Sequence, residues 1–194
     1  MAVVRQLFAA LKALLALTVL LGVLFPATIL AAGLVVPGQA NGSLIEVDGK
    51  TVGSSLLGQA AEGPQWFQAR PSASDHSGET SGGSNLGPSS SDLATTVKER
   101  EAALRQANPD APATIPADAL TASGSGLDPH ISPEYAAYQV PRVAAARGMS
   151  VDQVQRLVAA HTEHAALGFI GQDRVNVTEL NVALETGGAA TGSQ

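Results

Sequence analysis

Cysteine is absent from the 194 residues, which excludes disulfide bonds, thiolate catalysis and cysteine-ligated metal sites. Aromatic residues make up only 4% of the chain. Basic residues are also few, since 11 Lys and Arg stand against 17 Asp and Glu for a net charge of −6. Nucleic acid is therefore not expected as a partner, because phosphate binding needs clustered Lys and Arg.

Charge is missing altogether between Lys12 and Glu46, and residues 13–36 are almost wholly apolar. As a helix this segment would be about 36 Å long, enough to cross a hydrocarbon core about 30 Å thick. A cleaved signal peptide is the alternative, but its apolar core usually has only about 7–15 residues. We therefore predict a retained transmembrane helix over residues 13–36, with a kink at Pro26.

The few basic residues predict how this helix is oriented. Arg5 and Lys12 precede it, and the next basic residue is Lys50. By the positive-inside rule, residues 1–12 form a short cytoplasmic N-terminus and residues 37–194 lie outside the cytoplasm. Without Arg5 and Lys12, nine basic residues remain against seventeen acidic ones, so the exported part carries about −8. That charge is unsuited to resting on anionic lipid.

The pattern of residues 37–194 predicts one domain of mixed helices and strands, an α/β (α+β) fold behind a single N-terminal transmembrane helix. Asp48-Gly49 separates the apolar runs Leu44–Val47 and Thr51–Leu57, which predicts a β-hairpin because Asp-Gly tolerates the positive φ of tight turns. Residues 119–122 are expected to be extended. Residues 174–184 are expected to form a strand followed by a short helix or further strand.

Three helices are predicted from their capping residues. Asp92 is taken as the N-cap of a helix that ends near Asn108. Ser132 and Pro133 begin the second helix, which is expected to kink at Pro141 and to end where Gly148 takes a left-handed conformation. The third helix starts at Ser150.

Two stretches lack apolar periodicity. Residues 74–91 are expected to form a long Gly/Ser-rich loop, and residues 186–194 a flexible tail. Trp66-Phe67 lies just before the loop, and we interpret the pair as a core anchor for the hairpin in preference to a ligand-stacking site.

Familiar catalytic motifs are missing. The chain has no phosphate-binding P-loop, no GxGxxG after a strand and no GxSxG nucleophile elbow. Ser125, Asp128 and His130 invite comparison with a hydrolase, but Pro129 separates the last two, and triads are normally assembled from distant parts of a fold. A membrane-anchored extracytoplasmic hydrolase using these three residues is the alternative function. A free-standing periplasmic ligand-binding module is a third.

A metal site is not predicted either. His161 and His164 are three residues apart on a predicted helix, but the HExxH pattern and a third ligand are missing. We interpret them as histidines at a helix end, where they interact with the negative end of the helix dipole.

Six sequence blocks resemble the KdpC family, the small subunit of the Kdp high-affinity potassium-transporting P-type ATPase of bacteria and archaea. They occur in order and cover most of residues 41–184. Trp66, where a tyrosine is expected, and the Gly-rich stretch after Glu185 are modest departures. The blocks are NGSLIEVDGKTVGSSLLGQ (41–59), ARPSA (69–73), SGGSNLGPSSSDL (81–93), ANPDAPATIPADALTASGSGLDPHISP (107–133), QVPRVAAARG (139–148) and IGQDRVNVTELNVAL (170–184).

The resemblance implies a non-catalytic accessory subunit in the bacterial inner membrane. Its implied partners are a channel-like potassium-translocating subunit, a P-type ATPase subunit and a small fourth subunit in some assemblies, besides the lipid bilayer. It also implies a catalytic-chaperone role in ATP binding by the ATPase subunit. The predicted topology separates residues 37–194 from the cytoplasmic nucleotide site, so we expect no cofactor of the chain's own and an effect on ATP use through the membrane helices.

Partner-contact or turn residues are expected in the loop and in the stretch SGSGLDPHISPEYA (123–136), because long loops on rigid scaffolds often carry recognition. The candidates are Ser81, Gly82, Gly83, Asn85, Gly124, Gly126, Asp128 and His130.

Overall fold

The computed structural model describes residues 1–187, so most of the tail predicted at 186–194 lies outside the described residues. The chain divides into two compact units, Met1–Ser43 and the part from Leu44 onwards. The described secondary structure agrees with the predicted class, a mixture of helices and small antiparallel sheets together with one N-terminal apolar helix.

The first unit is a continuous helix from Ala2 to Gly33 whose length and apolar composition would allow it to cross a membrane. It consists of α1 (Ala2–Val19), a π-helical turn (Leu20–Leu24) and α2 (Phe25–Gly33), and the short helix α3 (Pro37–Ala40) follows. None of the residues of α1, the π turn and α2 is buried, which is typical of an apolar helix whose solvent is lipid. The helix begins before the predicted boundary at residue 13, so the division between residues 1–12 and 13–36 stays a prediction.

A π turn is found next to Pro26, where the sequence predicts a kink. Proline has no N–H to donate and its ring crowds the preceding turn of an α-helix. In the structure the N–H of Phe25 bonds to the carbonyl of Leu20, five residues earlier, which is the wider spacing of a π-helix. The helix therefore accommodates the proline ring by widening one turn.

The second unit begins with the predicted hairpin. Strand β1 (Leu44–Val47) pairs antiparallel with β2 (Lys50–Ser54), with a bulge between Ile45 and Glu46. Asp48 and Gly49 have φ of 51° and 74°, as the tight turn requires. The hairpin prediction is confirmed, although β2 ends three residues earlier than expected.

Residues 55–90 form neither helix nor strand, and the regular structure that follows is mainly helical. A three-stranded antiparallel sheet has the order β3-β5-β4. The elements in chain order are α4 (Ser91–Ala107), α5 (Ala117–Leu120), β3 (His130–Ile131), α6 (Pro133–Arg147), α7 (Val151–Ala160), β4 (Thr162–Glu163), β5 (Arg174–Asn176) and α8 (Val177–Glu185).

Helix α6 is the centre of the core, with side chains buried on most of its circumference. Helices α7 and α8 and the strand residues Ile131 and Val175 pack in the same cluster, which also includes Phe67. Ser132 caps α6 through the N–H of Tyr135, and Gly148 ends it in the left-handed conformation, both as predicted. Helix α6 continues through Pro141 to Arg147, so the domain is built around one unbroken helix.

Other boundaries refine the predictions. Ser90, and not Asp92, caps α4 by accepting the N–H of Leu93. The prediction placed the cap two residues too late, because aspartate is favoured both at the N-cap and in the first turn, where Asp92 lies. Residues 119–122 were expected to be extended, but Ala117–Leu120 is a short helix, so that expectation is wrong for residues 119 and 120, whereas Thr121 is extended. Ser150 caps α7 in a reciprocal capping box with Gln153, as the helix start there predicts.

Candidate functional site

The eight candidate residues fall on two irregular segments, and the structure brings the two segments together. We call residues 70–87 the Ser/Gly loop and residues 123–130 the SGSGLDPH turn. Several hydrogen bonds join the loop to the turn, and the loop residues that form them are separated from the turn by about fifty residues in sequence.

The SGSGLDPH turn is shaped by its own side chains. Ser123 is buried and its hydroxyl accepts the N–H of Gly126 at 2.8 Å. The hydroxyl of Ser125 accepts the N–H of Leu127 at 3.1 Å, and a carboxylate oxygen of Asp128 accepts the N–H of His130 at 3.0 Å. Short polar side chains thus satisfy backbone donors where no helix or strand can do so.

The Ser/Gly loop is bound to the carbonyl groups of this turn. The carbonyl of Ser125 accepts the N–H of Gly82 at 2.8 Å and the hydroxyl of Ser81 at 3.0 Å. The carbonyl of Gly126 accepts the hydroxyl of Ser72 at 2.7 Å. In the opposite direction, the N–H of Ser123 in the turn donates to the carbonyl of Pro71 in the loop at 3.0 Å. Both segments are therefore held in one arrangement.

Glycine is required at the closest approach of the two segments. Gly126 has φ of 71°, and a Cβ there would lie 2.4 Å from the hydroxyl of Ser74 and 2.9 Å from the carbonyl oxygen of Gly82. At Gly83 a Cβ would lie 3.2 Å from the carbonyl oxygen of Gly124. Two of the four candidate glycines, Gly83 and Gly126, thus allow the loop and the turn to pack backbone against backbone, whereas a Cβ at Gly82 or Gly124 would meet no atom within 4 Å.

Asp128 lies at the centre of the charged part of the site. Its carboxylate is 3.4 Å from Nδ1 of His130 and 3.6 Å from Nη1 of Arg70. The hydrogen bond from the His130 side chain is the main reason why the pKa of Asp128 is lowered, with the charges of His130 and Arg70 acting in the same direction and partial burial opposing them. Asp128 is therefore held in its ionised form.

A hydrolytic triad is not assembled from Ser125, Asp128 and His130. The hydroxyl of Ser125 is engaged with the backbone of Leu127, and no hydrogen bond among the described residues joins it to His130. Asp128 contacts both the ring and the backbone N–H of His130, an interaction that fixes the local conformation. The three side chains shape the turn and do not form a nucleophile with its base.

Asn85, His161 and His164 lie outside this cluster, whereas the N–H of His76 donates to the hydroxyl of Ser72 within the loop. Asn85 is exposed, has φ of 54° and makes no described contact with the turn. His161 contacts the carbonyl of Leu157, and His164 contacts Asp173. Within residues 1–187, no group of three or more His, Asp or Glu side chains is placed to hold a metal ion.

Sequence reasoning missed a second set of residues, which hold the segment just before the loop. We call residues 64–68 the strap. Gln139 and Asn181 each bind the N–H and the carbonyl of one strap residue, namely Gln68 and Phe67. Arg142 donates to the carbonyls of the strap at Pro64 and Trp66. The signal available in the sequence is a glutamine on the otherwise apolar face of α6.

The Trp66-Phe67 pair has two different environments. Phe67 is fully buried in the cluster around α6, as expected of a core anchor, but this cluster does not include the hairpin. The ring of Trp66 is stacked by the guanidinium of Arg147, 4.3 Å from its centroid. The interpretation as a core anchor is thus confirmed for Phe67 alone, and its packing partner is the helical core.

These features define a class of protein in which a domain follows an N-terminal helix long and apolar enough to cross a membrane. The serines, glycines and histidine of the site in this domain shape a turn and hold a loop against it. The model of the family described as K+-transporting ATPase, c chain (KdpC) matches residues 7–186. The chain belongs to the KdpC family of potassium-transporting ATPase subunits, and the predicted family is confirmed.

Curated relatives agree with the family match over nearly the whole chain. The Potassium-transporting ATPase KdpC subunit of Kineococcus radiotolerans is 53% identical over 184 residues, which is 94% of each chain. The subunit of the same name from Sorangium cellulosum is 52% identical, covering 91% of this chain and 95% of the relative. That of Geobacter sulfurreducens is 50% identical, covering 94% and 98%.

Proposed function

We propose that the chain is a non-catalytic accessory subunit of an ATP-driven high-affinity potassium import complex, where it stabilises the assembly and supports ATP use by the P-type ATPase subunit. The match to KdpC subunits over residues 7–186 carries this proposal. The structure supports it further, because the polar side chains of the site are used to shape a loop and a turn. A scaffold with one preformed loop is suited to binding a protein partner.

The channel-like potassium-translocating subunit and the P-type ATPase subunit are the proposed partners, with a small fourth subunit in some assemblies. The Ser/Gly loop is the proposed contact surface of the domain. Its inner side is bonded to the SGSGLDPH turn, whereas residues 84–87 are exposed. A loop already held in place loses less conformational entropy when it binds.

The effect on ATP use is proposed to pass through the membrane helices, without nucleotide contact by this chain. Arg5 and Lys12 lie in the first part of the helix Ala2–Gly33, before its uncharged apolar stretch from residue 13, which favours a cytoplasmic N-terminus in the bacterial inner membrane. The domain would then lie on the side of the membrane opposite to the ATPase subunit's nucleotide site. Coupling through packed helices remains available in that arrangement.

Co-purification tests the assembly role. An affinity tag on this chain is expected to recover the channel-like and ATPase subunits from detergent-solubilised membranes, and potassium-stimulated ATPase activity is expected to fall when the chain is deleted. Ser125→Ala and His130→Ala, made separately, are expected to leave that activity largely intact. A fall of about a hundredfold or more with the complex still assembled would favour the hydrolase alternative. Recovery of the chain only as a monomer would contradict the proposed function.

Labelling tests the topology independently. Because the natural chain has no cysteine, single cysteines at the exposed positions Ser84 and Gln172 are the only thiols of their variants. At least one of the two is expected to react with an impermeant maleimide added outside spheroplasts whose inner membrane is intact, since position 84 lies on the proposed contact surface and a bound partner would cover it. A cysteine at Ala2 is the matched control and is expected to react only after permeabilisation. The reverse pattern would contradict the proposed orientation.

A further inference from the structure

The connection between β4 and β5 presents an uncharged apolar tip, residues 165–170, which we call the apolar knob. Its three large side chains are mostly exposed, Leu167 by 83%, Phe169 by 76% and Ile170 by 55%. Three large apolar side chains side by side on a loop of a water-facing domain are unusual, since scattered single residues are the normal case. An exposed apolar surface of this kind is typical of a site that another molecule covers.

The knob is closed by its own hydrogen bonds. Ala166 and Ile170 exchange two backbone hydrogen bonds, each of 2.9 Å. At its base, the carboxylate of Asp173 accepts the N–H of Ala165 at 2.9 Å and contacts Nδ1 of His164 at 2.8 Å. The apolar side chains are thus presented on a preformed turn, which lowers the entropic cost of docking.

Leu167 occupies a backbone conformation that does not suit it. Its φ is 55°, in the left-handed region that leucine rarely adopts and that glycine or asparagine tolerates better. The adjacent Gly168 also has a positive φ, of 78°. Unfavourable backbone conformations persist where a function requires the side chain, and here the side chain extends into solvent.

The charges around the knob argue against lipid as the partner. Arg174 at the base of the knob pairs with Glu163, and Asp173, which is hydrogen-bonded to His164, adds a carboxylate beside them. The part of the chain after residue 36 carries about −8, which disfavours contact with anionic lipid. Peripheral membrane binding normally adds lysine or arginine beside the apolar anchor, and residues 163–173 contain neither.

The size of the knob argues against a second copy of the chain. Three side chains bury only a few hundred Å², whereas a stable dimer needs roughly 1,200 Å² or more. A small contact suffices when another part of the same chain is already bound, because the second contact then forms at high effective concentration. Within an assembly, the apolar helix Ala2–Gly33 is available as that other part.

We propose that the apolar knob docks into an apolar pocket on another subunit of the potassium-transporting assembly. This inference rests on the proposed function, since it requires that the chain assemble with other subunits. A central aromatic or aliphatic anchor in a pocket is a requirement of a binding interface, so Phe169 and Leu167, the two most exposed side chains of the knob, are expected to be the main determinants.

Leu167→Asn separates docking from folding. Asparagine suits the left-handed conformation, so the urea midpoint of the purified full-length chain is expected to stay the same or rise. Recovery of the partner subunits with the tagged chain is expected to fall about tenfold or more, and Phe169→Asn is expected to act likewise. Leu56→Asn is the matched control at another exposed leucine, 59% accessible, and should leave recovery unchanged.

The outcomes distinguish the two proposals. If the unaltered chain recovers no partner, the proposed function fails. If the unaltered chain recovers its partners and both knob variants do so equally well, only the knob proposal fails. A variant that lowers the urea midpoint together with recovery would show that the knob supports the fold, which would also overturn the proposal.

A photo-crosslinking residue, benzoylphenylalanine at position 169, identifies what covers the knob in native membranes. We expect a discrete product heavier than the chain by the mass of another subunit, and no such product from the same residue at Leu56. A lipid adduct, a product of two copies of the chain, or no product would each overturn the proposal.

Discussion

The strap and the Ser/Gly loop are neighbouring irregular segments that are stabilised in different ways. Strap residues are bound by the side chains of α6 and α8, which lie 71 to 114 residues away in sequence. The loop is bound by its own hydroxyls and N–H groups to the carbonyls of another irregular segment, the SGSGLDPH turn. Phe67 in the strap is fully buried, whereas much of the loop is exposed.

This difference shows that the irregular backbone of the strap is part of the core, whereas that of the Ser/Gly loop is part of the surface. Gln139 and Asn181 each provide one donor and one acceptor to a single strap residue, as a neighbouring β-strand would. Apart from the bond between the buried Ser123 and Pro71, the contacts of the loop with the turn are part-buried or exposed. We therefore expect substitutions at the strap to affect mainly stability and substitutions at the loop to affect mainly assembly.

The largest effect on stability is expected for Gln139→Met, which removes the amide group that binds Gln68 of the strap and replaces it with an apolar side chain of similar size. The change leaves the N–H and carbonyl of Gln68 and one N–H of Arg142 without their acceptor or donor in a buried site. At about 1–3 kcal/mol for each unsatisfied group, partly offset by relaxation, the free energy of unfolding should fall by about 4 kcal/mol. Urea unfolding of the detergent-solubilised chain measures it.

The control is Gln172→Met at an exposed position, which should change the same free energy by less than about 0.5 kcal/mol. If Gln139→Met were equally mild, the strap would not be part of the core and the comparison with the loop would fail.

A smaller effect is expected for Gly126→Ala, at the contact between the loop and the turn. The new Cβ would meet the hydroxyl of Ser74 and the carbonyl of Gly82, at a φ of 71° that disfavours alanine. We expect a loss of about 2 kcal/mol in stability. Under the proposed function, recovery of partner subunits should also fall, because the loop is displaced.

Gly82→Ala is the matched control, since a Cβ there would have no atom within 4 Å and its φ is not in the left-handed region. Its stability should be unchanged to within about 0.5 kcal/mol. If both alanines unfold the domain as readily as Gln139→Met does, the loop is as much a part of the core as the strap.

Local signals made part of this fold predictable from sequence. The Asp48-Gly49 turn, the caps at Ser132 and Ser150 and the ending at Gly148 each depend on residues within a few positions of one another. Such signals fix where elements begin and end. They do not state which elements meet, so the sheet order β3-β5-β4 required the structure.

The sequence singled out candidate residues for the site but did not predict how they are arranged. The glycines and serines at 81–83 and 124–126 were singled out, and the structure shows that the two groups contact each other. The strap was missed because Gln139, Arg142 and Asn181 act on backbone groups, and backbone groups have no sequence signature. In addition, most amide side chains on helices could equally bond to water, so a single sequence does not show which of them are buried and bonded to the backbone.

The smallest effect is expected for Asp128→Asn, and it depends on pH. Because the folded-state pKa of Asp128 is lowered, its charge adds stability above the ordinary aspartate pKa of about 3.9, and this contribution is lost as the pH falls through the folded value. The side chain is 30% exposed, so at pH 7 the variant should lose less than about 1 kcal/mol. Asparagine still accepts the N–H of His130, so the variant keeps that hydrogen bond while it loses the carboxylate that faces Arg70. Urea unfolding at pH 7, 5 and 3 should show the two proteins converging at the lowest pH, and a difference that grows as the pH falls would contradict the assigned direction.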